Sequence, residues 1–157
     1  MMFLQDLVNS LGSPFLLQSE SGRVSVERRL QLLGVTTYIV DISSSSTAHE
    51  MFEKFRVAMQ MPYQEIPNWD ALDEALADLS WLRLNSINIV IVGAPAFSRR
   101  DQRSFQALMT LLNSVGEEWA RLVTDGEWWD RNAVPFHVYV EREASERLPF
   151  SIPALLG

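Results

Sequence analysis

The chain has 157 residues, and 47% of them are hydrophobic, including five Trp and eight Phe. This length and composition are typical of one packed domain. A formal net charge of -7 argues against direct binding of nucleic acid and favours a basic protein as partner. The absence of Cys excludes disulfides and thiolate chemistry and fits a cytoplasmic location. No signal peptide is expected, because residues 1–6 lack a basic segment.

Residues 1–34 are predicted to form an N-terminal extension that packs on the body of the protein. Residues 2–11 are rich in apolar side chains and predict a short helix that ends at Gly12. A brief strand at a sheet edge is expected at 15–17. Apolar residues at helical spacing then predict a second helix, which ends at Gly34.

The segment 35–141 alternates strands and helices. Strands are expected at 35–41, 87–92 and 135–141, because these runs are β-branched and aromatic, as in strands buried on both faces. Helices are expected at 48–59, at 68–79 and from Asp101 to about Thr124. This order predicts a small α/β fold in which helices pack on a three-stranded parallel sheet.

The tail at 142–157 is Pro-rich. It is expected to form neither a strand nor a helix and to lie over the body.

An acidic helix is the most distinctive feature of the sequence. Asn68 follows a Pro and precedes a helical pattern, which predicts an N-cap. Trp69 and three Leu recur at spacings of three and four residues and would be buried on one face. Residues 61–80 contain no Lys, Arg or His, and their five acids are Glu65, Asp70, Asp73, Glu74 and Asp78. The sequence therefore predicts a helix that presents ionised carboxylates to a cationic partner.

These residues also carry a family resemblance. The pattern Pro-x-x-x-x-x-Asn-Trp-Asp-Ala-Leu-x-(acid)-x-Leu begins at Pro62, and Asp-Leu-Ser-Trp-Leu follows at 78–82. Together with the strand and the Phe-rich helix before it, this pattern resembles the barstar family of ribonuclease inhibitors, roughly over 35–141. The resemblance implies a three-layer fold with a three-stranded parallel sheet. It also implies that the acidic helix and the loop before it form the inhibitory surface.

The resemblance assigns roles to individual residues. Asp70 matches a family carboxylate that contacts the ribonuclease active site, and Glu74 takes the place of an important Asp. Two residues depart from the family pattern: Gln64 replaces an aromatic residue, and Ile66 replaces a Gly, which would be strained if that position had a positive φ. The loop is therefore expected to differ in shape. The predicted partner-binding residues are Asp70, Glu74, Asp73, Glu65, Tyr63, Gln64, Asn68 and Trp69.

Function follows from the resemblance as an expectation. It implies an inhibitor of a basic ribonuclease, not an enzyme, that acts against a secreted ribonuclease or as the bacterial immunity protein of a ribonuclease toxin. No catalytic residue, metal, cofactor, small-molecule substrate, membrane or direct nucleic-acid partner is expected. The main alternative is a barstar-shaped interaction module with a non-nuclease partner. A third hypothesis is a metal-dependent hydrolase that uses Asp41, Asp70, Asp73 and Glu74.

Several aromatic residues allow two interpretations from the sequence. Trp69 has the spacing of a core anchor but lies beside the acidic face, and Tyr63 fits either a packing or a contact role. Trp128 and Trp129 are expected first to pack. The alternative is that the turn at 127–130 exposes them as an aromatic patch and a secondary contact.

Overall fold

The structure is a computed structural model, and it describes residues 2–11, 16–19, 26–83, 85–141 and 155–156. The strands are Met2–Phe3 (β1), Leu16–Ser19 (β2), Thr37–Asp41 (β3), Ile87–Val92 (β4), Phe136–Glu141 (β5) and Leu155–Leu156 (β6). The helices are Leu4–Leu7 (α1), Val26–Leu32 (α2), Ala48–Ala58 (α3), Trp69–Asp78 (α4), Ala94–Arg100 (α5) and Gln102–Trp119 (α6).

The main sheet has the strand order β2-β5-β4-β3, and every neighbouring pair is parallel. This arrangement confirms the predicted α/β fold, because β3, β4 and β5 are the three expected strands. β2 adds a fourth strand at one edge, where the sequence predicted a brief edge strand. The N-terminal segment therefore contributes to the sheet itself, and the division of the chain at residues 34 and 141 stays a prediction.

Helices cover both faces of the sheet. Successive residues of a strand point to opposite faces, and β4 shows this alternation. Ile89 and Ile91 join the main core, which includes the buried residues of α3, α4 and α6. Val90 lies in a second cluster with Leu7 of α1 and Leu30 of α2. The sheet is thus the middle of three layers, as the resemblance implied.

The prediction that the first of the three strands is buried on both faces is wrong. β3 begins at Thr37 and pairs only with β4, so it forms an edge of the sheet. Tyr38 and Ile39 are half-buried, Val40 is buried and Asp41 is exposed. The apolar, β-branched composition of the strand did not distinguish an edge position from a central one.

The region after β4 contains a helix, α5, that was not predicted from the sequence. Gly93 adopts a left-handed conformation (φ 79°), and Pro95 lies in the first turn of α5. The Gly-Ala-Pro segment therefore begins a helix as well as ending the strand. α6 starts directly after Asp101, the residue at which the helix was expected to begin. Asp101 is its N-cap, and the Oδ1 atom accepts a hydrogen bond from the backbone N–H of Ser104 at 3.1 Å.

α6 ends at Trp119, five residues before the predicted end near Thr124. The guanidinium group of Arg131 donates hydrogen bonds to the carbonyls of Glu118 (3.0 Å) and Arg121 (3.3 Å). It thereby satisfies carbonyls that a longer helix would have paired. Val123 forms a β-bridge with Arg131, and this bridge turns the chain away from the helix axis.

The predictions for the two ends of the chain were partly wrong. The expected helix over 2–11 is replaced by β1 and the single turn of α1. Leu155 and Leu156 of the tail form β6, which pairs in parallel with β1. Local sequence patterns do not reveal a ladder between residues so far apart. The rest of the tail lies outside the described residues.

None of the helices within 2–11, 26–83 and 85–141 has the length and apolarity that a membrane crossing requires.

Candidate functional site

α4 forms as the sequence predicted. The Oδ1 atom of Asn68, the N-cap, accepts a hydrogen bond from the backbone N–H of Ala71 at 2.8 Å. Leu72 and Leu76 are fully buried in the main core. The helix ends at Leu79, which is buried and adopts a left-handed conformation (φ 45°). These contacts fix both the position of the helix and the direction in which its polar face points.

The polar face of α4 carries exposed carboxylates. Asp70, Asp73 and Glu74 are all exposed, and no Lys or Arg among the described residues forms an ion pair with them. Asp78, at the end of the helix, is also exposed and accepts a hydrogen bond from the Ser80 hydroxyl at 3.2 Å. The structure thus leaves a negative surface whose charges are not neutralised by the described part of the chain.

Trp69 lies between the core and this surface. Its ring meets the ring of Phe52 edge to face, with the centroids 4.9 Å apart, and the side chain is half-buried. The remainder of the ring lines a groove of about 430 Å³ beside Asp70 and Asp73. The core-anchor interpretation of Trp69 therefore holds for part of the ring, and its role as a partner contact stays a prediction.

The other wall of the groove belongs to α6 and was not among the predicted site residues. The wall residues share one face of the helix at spacings of three and four, and they are Ala107, Thr110, Leu111 and Ser114. This spacing was visible in the sequence. What it would face was not visible, because more than 30 residues of sequence separate Ala107 from Asp73 across the groove.

The loop at 61–67 is anchored at several points. The backbone N–H of Met61 donates to the carbonyl of Arg56 at 2.9 Å, and the Arg56 guanidinium donates to the carbonyl of Tyr63 at 3.3 Å. The Tyr63 ring packs edge to face against Trp81, with centroids 5.8 Å apart. Trp81 in turn donates its Nε1–H to the carbonyl of Met59 at 2.9 Å. Gln64 and Glu65 project from this loop and are exposed.

Ile66 is accommodated without the strain that a positive φ would have caused. Gln60 and Leu79 are the non-glycine residues with positive φ in the described part of the chain, and Ile66 is not among them. Its side chain is 3% exposed and belongs to the main core. Where the family pattern has Gly, this chain therefore has an apolar side chain that attaches the loop to the core.

Charges from separate elements act on one another at this surface. Burial raises the pKa of the Tyr63 hydroxyl, and the negative charges of Asp78 and Glu74 raise it further. Burial likewise raises the pKa of Glu118 on α6, with Asp73 adding to the effect, while Arg131 and Arg121 oppose it. The negative field of α4 therefore reaches both the loop and the end of α6. Glu118 was not among the predicted site residues.

The geometry gives no metal centre in the described ranges. No three His, Cys, Asp or Glu side chains there lie close enough to hold one ion, and this includes the four carboxylates of the hydrolase hypothesis. His49 is exposed on α3. His137 is fully buried in β5, where its Nε2 lies 2.9 Å from the carbonyl oxygen of Ser10.

Comparison with known protein families identifies the family of this chain. Residues 35–141 match the family described as Barstar (barnase inhibitor). Searches of curated proteins and of solved structures found no match. The matched segment covers about two thirds of the chain, including β3, β4, β5, the acidic helix and the loop before it. On this evidence the chain belongs to the barstar family.

Proposed function

We propose that this protein is a stoichiometric inhibitor of a basic ribonuclease. The exposed carboxylate face of α4 would enter the nuclease active site, where Asp70 and Glu74 take the place of substrate phosphates. Family membership supports a ribonuclease as the class of partner, since the matched family is described as an inhibitor of barnase. The protein would act in the cytoplasm, against a secreted ribonuclease before its export or as the immunity protein of a ribonuclease toxin.

One observation carries this proposal. α4 holds Asp70, Asp73 and Glu74 exposed on a helix whose opposite face is locked into the core, and no described Lys or Arg pairs with them. Carboxylates held in this way offer charge-assisted and bidentate hydrogen bonds to Arg and Lys side chains. Together with the net charge of -7, they would also speed the approach of a basic protein.

The other predicted contacts take different roles in the proposal. Tyr63, Gln64 and Glu65 are exposed on the anchored loop and would contact the nuclease beside the helix. Asn68 positions the site, since its side-chain oxygen is already bonded to Ala71. Trp69 would contribute the part of its ring that lines the groove.

The test is a titration of RNA cleavage by barnase with the purified protein, at low and at high salt. Wild-type protein should inhibit, and more weakly at high salt because surface charges are screened. The variant Asp70→Asn with Glu74→Gln removes two charges and preserves shape. It should weaken inhibition by about 100-fold or more, since two charge-assisted hydrogen bonds are lost.

A matched control separates local contacts from net charge. Asp6→Asn with Glu117→Gln also removes two exposed charges, but outside the proposed surface. It should inhibit within a few-fold of wild type. Equal losses in both double variants would show that only overall charge matters and would contradict the assigned surface. A wild-type protein that leaves RNA cleavage untouched would contradict the inhibitor function.

A second candidate, an interaction module for a non-nuclease partner, is favoured by the loop. The buried Ile66 replaces a family Gly, and Gln64 replaces an aromatic residue, so the exposed surface beside α4 differs from the family pattern. In that case the wild-type protein would not inhibit RNA cleavage. The Asn/Gln double variant would still lose a partner that the wild-type protein captures.

A further inference from the structure

Two tryptophans are displayed on the surface after α6. The side chain of Trp128 is 89% exposed and that of Trp129 is 48% exposed. The two indole rings meet edge to face, with centroids 5.6 Å apart. Large exposed aromatic surfaces are unusual in proteins that have no partner, and they commonly mark contact sites.

The segment that displays them is well braced. Val123 and Arg131 exchange two backbone hydrogen bonds, of 2.9 and 3.1 Å. The Asp130 carboxylate accepts the N–H groups of Asp125 (2.9 Å) and Gly126 (2.8 Å). Trp129 donates its Nε1–H to Asp125 at 3.0 Å. The backbone of the segment and the Trp129 ring are therefore held in place before any partner arrives, which lowers the entropy lost on binding.

This aromatic surface lies across a cleft from the acidic helix. A cleft of about 570 Å³ separates them, with Ala77 and Asp78 of α4 on one wall and Trp128 and Trp129 on the other. Asp78 thus belongs both to the cleft and to the helix that carries the carboxylate face. A protein that binds α4 at its carboxylates would reach the cleft by extending along the same helix.

The charges around the cleft favour a cationic occupant. Arg131 lines the cleft but is already engaged, since its guanidinium lies 4.0 Å from the centroid of the Trp119 ring and donates to the carbonyl of Glu118. Asp78 is exposed in the cleft, and Glu127 is exposed next to Trp128. Exposed indole faces near carboxylates are suited to Arg and Lys side chains through cation–π contacts. A second copy of this acidic chain would meet repulsion instead.

We propose that Trp128, Trp129 and the adjoining cleft form a second contact for the basic ribonuclease. They would take Arg or Lys side chains from the rim of its active site while α4 occupies the active site itself. This inference rests on the proposed inhibitor function. It adds that the hairpin at 123–131 determines affinity and target choice together with the carboxylates of α4.

The experiment compares Trp128→Ala with wild type in the inhibition of RNA cleavage by barnase. Because Trp128 is almost fully exposed, its removal should leave thermal unfolding unchanged. Binding should weaken by at least about tenfold, as when an aromatic hot spot is truncated. Trp128→Tyr keeps an aromatic face and should restore much of the loss. Leu32→Ala is the matched control, because Leu32 is 78% exposed on α2, and it should bind like wild type.

The outcomes separate the two proposals. If wild type does not inhibit, the proposed function fails and this inference fails with it. If wild type inhibits and Trp128→Ala inhibits equally well, the second contact is refuted while the inhibitor function stands. Sedimentation of the free protein tests whether a second copy of the chain occupies the cleft. A wild-type dimer that dissociates in the Trp128→Ala variant would also overturn the inference.

Discussion

Replacing Trp119 with Phe should weaken the attachment of α4 to the rest of the protein. Trp119 is 3% exposed, and its Nε1–H donates to the carbonyl of Leu76 at 2.8 Å. That carbonyl lies in the last turn of α4, where helix carbonyls lack a partner in the helix. The indole therefore completes the end of the acidic helix from across the α4–α6 interface. A Phe ring fills most of the space but cannot donate this bond.

The expected loss of stability follows from three contributions. A buried carbonyl left without a donor costs about 1–3 kcal/mol. The smaller ring leaves a residual cavity, which costs about 1 kcal/mol. The Arg131 guanidinium lies 4.0 Å from the centroid of the Trp119 ring, and its cation–π contact would be weaker by roughly 0.5 kcal/mol with a Phe ring. Together these contributions should lower the free energy of unfolding by about 2.5–4.5 kcal/mol.

Urea denaturation measures this change directly. With a slope of about 2 kcal/mol/M, the urea midpoint should fall by roughly 1.2–2.2 M. Trp81→Phe is the matched control, since it also removes an indole hydrogen bond, to Met59, but at a half-buried position. It should cost about 1 kcal/mol. Hydrogen exchange should show protection falling more in α4 than in β4. A Trp119→Phe loss below about 1 kcal/mol would refute the argument, because water would then satisfy the Leu76 carbonyl.

Two further predictions concern stability. Gly93→Ala should lower the free energy of unfolding by more than about 2 kcal/mol in urea denaturation, because φ is 79° and an added Cβ would lie within 2.6 Å of the Ser43 backbone nitrogen. Gly126→Ala is the control: φ is 80°, but an added Cβ would meet no atom within 4 Å, so it should cost about 1 kcal/mol. Equal losses in the two variants would contradict the steric explanation. Burial opposes ionisation of Asp130, but the N–H groups of Gly126, Asp125 and Glu127 lower its pKa below the ordinary 3.8. The ionised Asp130 carboxylate should therefore stabilise the folded state above about pH 4, and this stabilisation should be lost as the pH falls through its lowered pKa. Asp130→Asn should flatten the pH dependence of unfolding between about pH 2 and 5, and an unchanged profile would argue against these hydrogen bonds.

Local signals in the sequence were sufficient for the elements that matter most. Asn68 after a Pro, with apolar residues at spacings of three and four, placed α4 correctly, because capping and amphipathicity are properties of neighbouring residues. The order of strands and helices gave the parallel sheet. The brief edge strand expected at 15–17 corresponds to β2. The edge position of β3 and the β1–β6 pair depend on contacts between distant segments, so no local pattern contained them.

The residues of the candidate site also fall into those that local sequence predicted and those that only tertiary packing brings together. The carboxylates of α4 were visible as a run of acids, and the structure places them on one exposed surface. The facing wall on α6 and the nearby Glu118 were missed, because only tertiary packing brings them to α4. The strain expected at Ile66 does not arise, since the side chain is buried and the backbone does not adopt the left-handed conformation in which Gly would be needed.

The supports of α4 bear on how Glu74 would bind a partner, at the position where the resemblance to the barstar family implies an Asp. Glu has one more rotatable bond than Asp, so fixing its carboxylate on a partner costs more side-chain entropy. The backbone beneath it is held by the Asn68 cap at one end and by the indole of Trp119 at the other. Ile66 fixes the neighbouring loop to the core. With the backbone ordered in advance, the entropy lost on binding falls mainly on the side chains. A longer carboxylate on a fixed helix can therefore reach a deeper or displaced cation, which would change target choice without changing the fold.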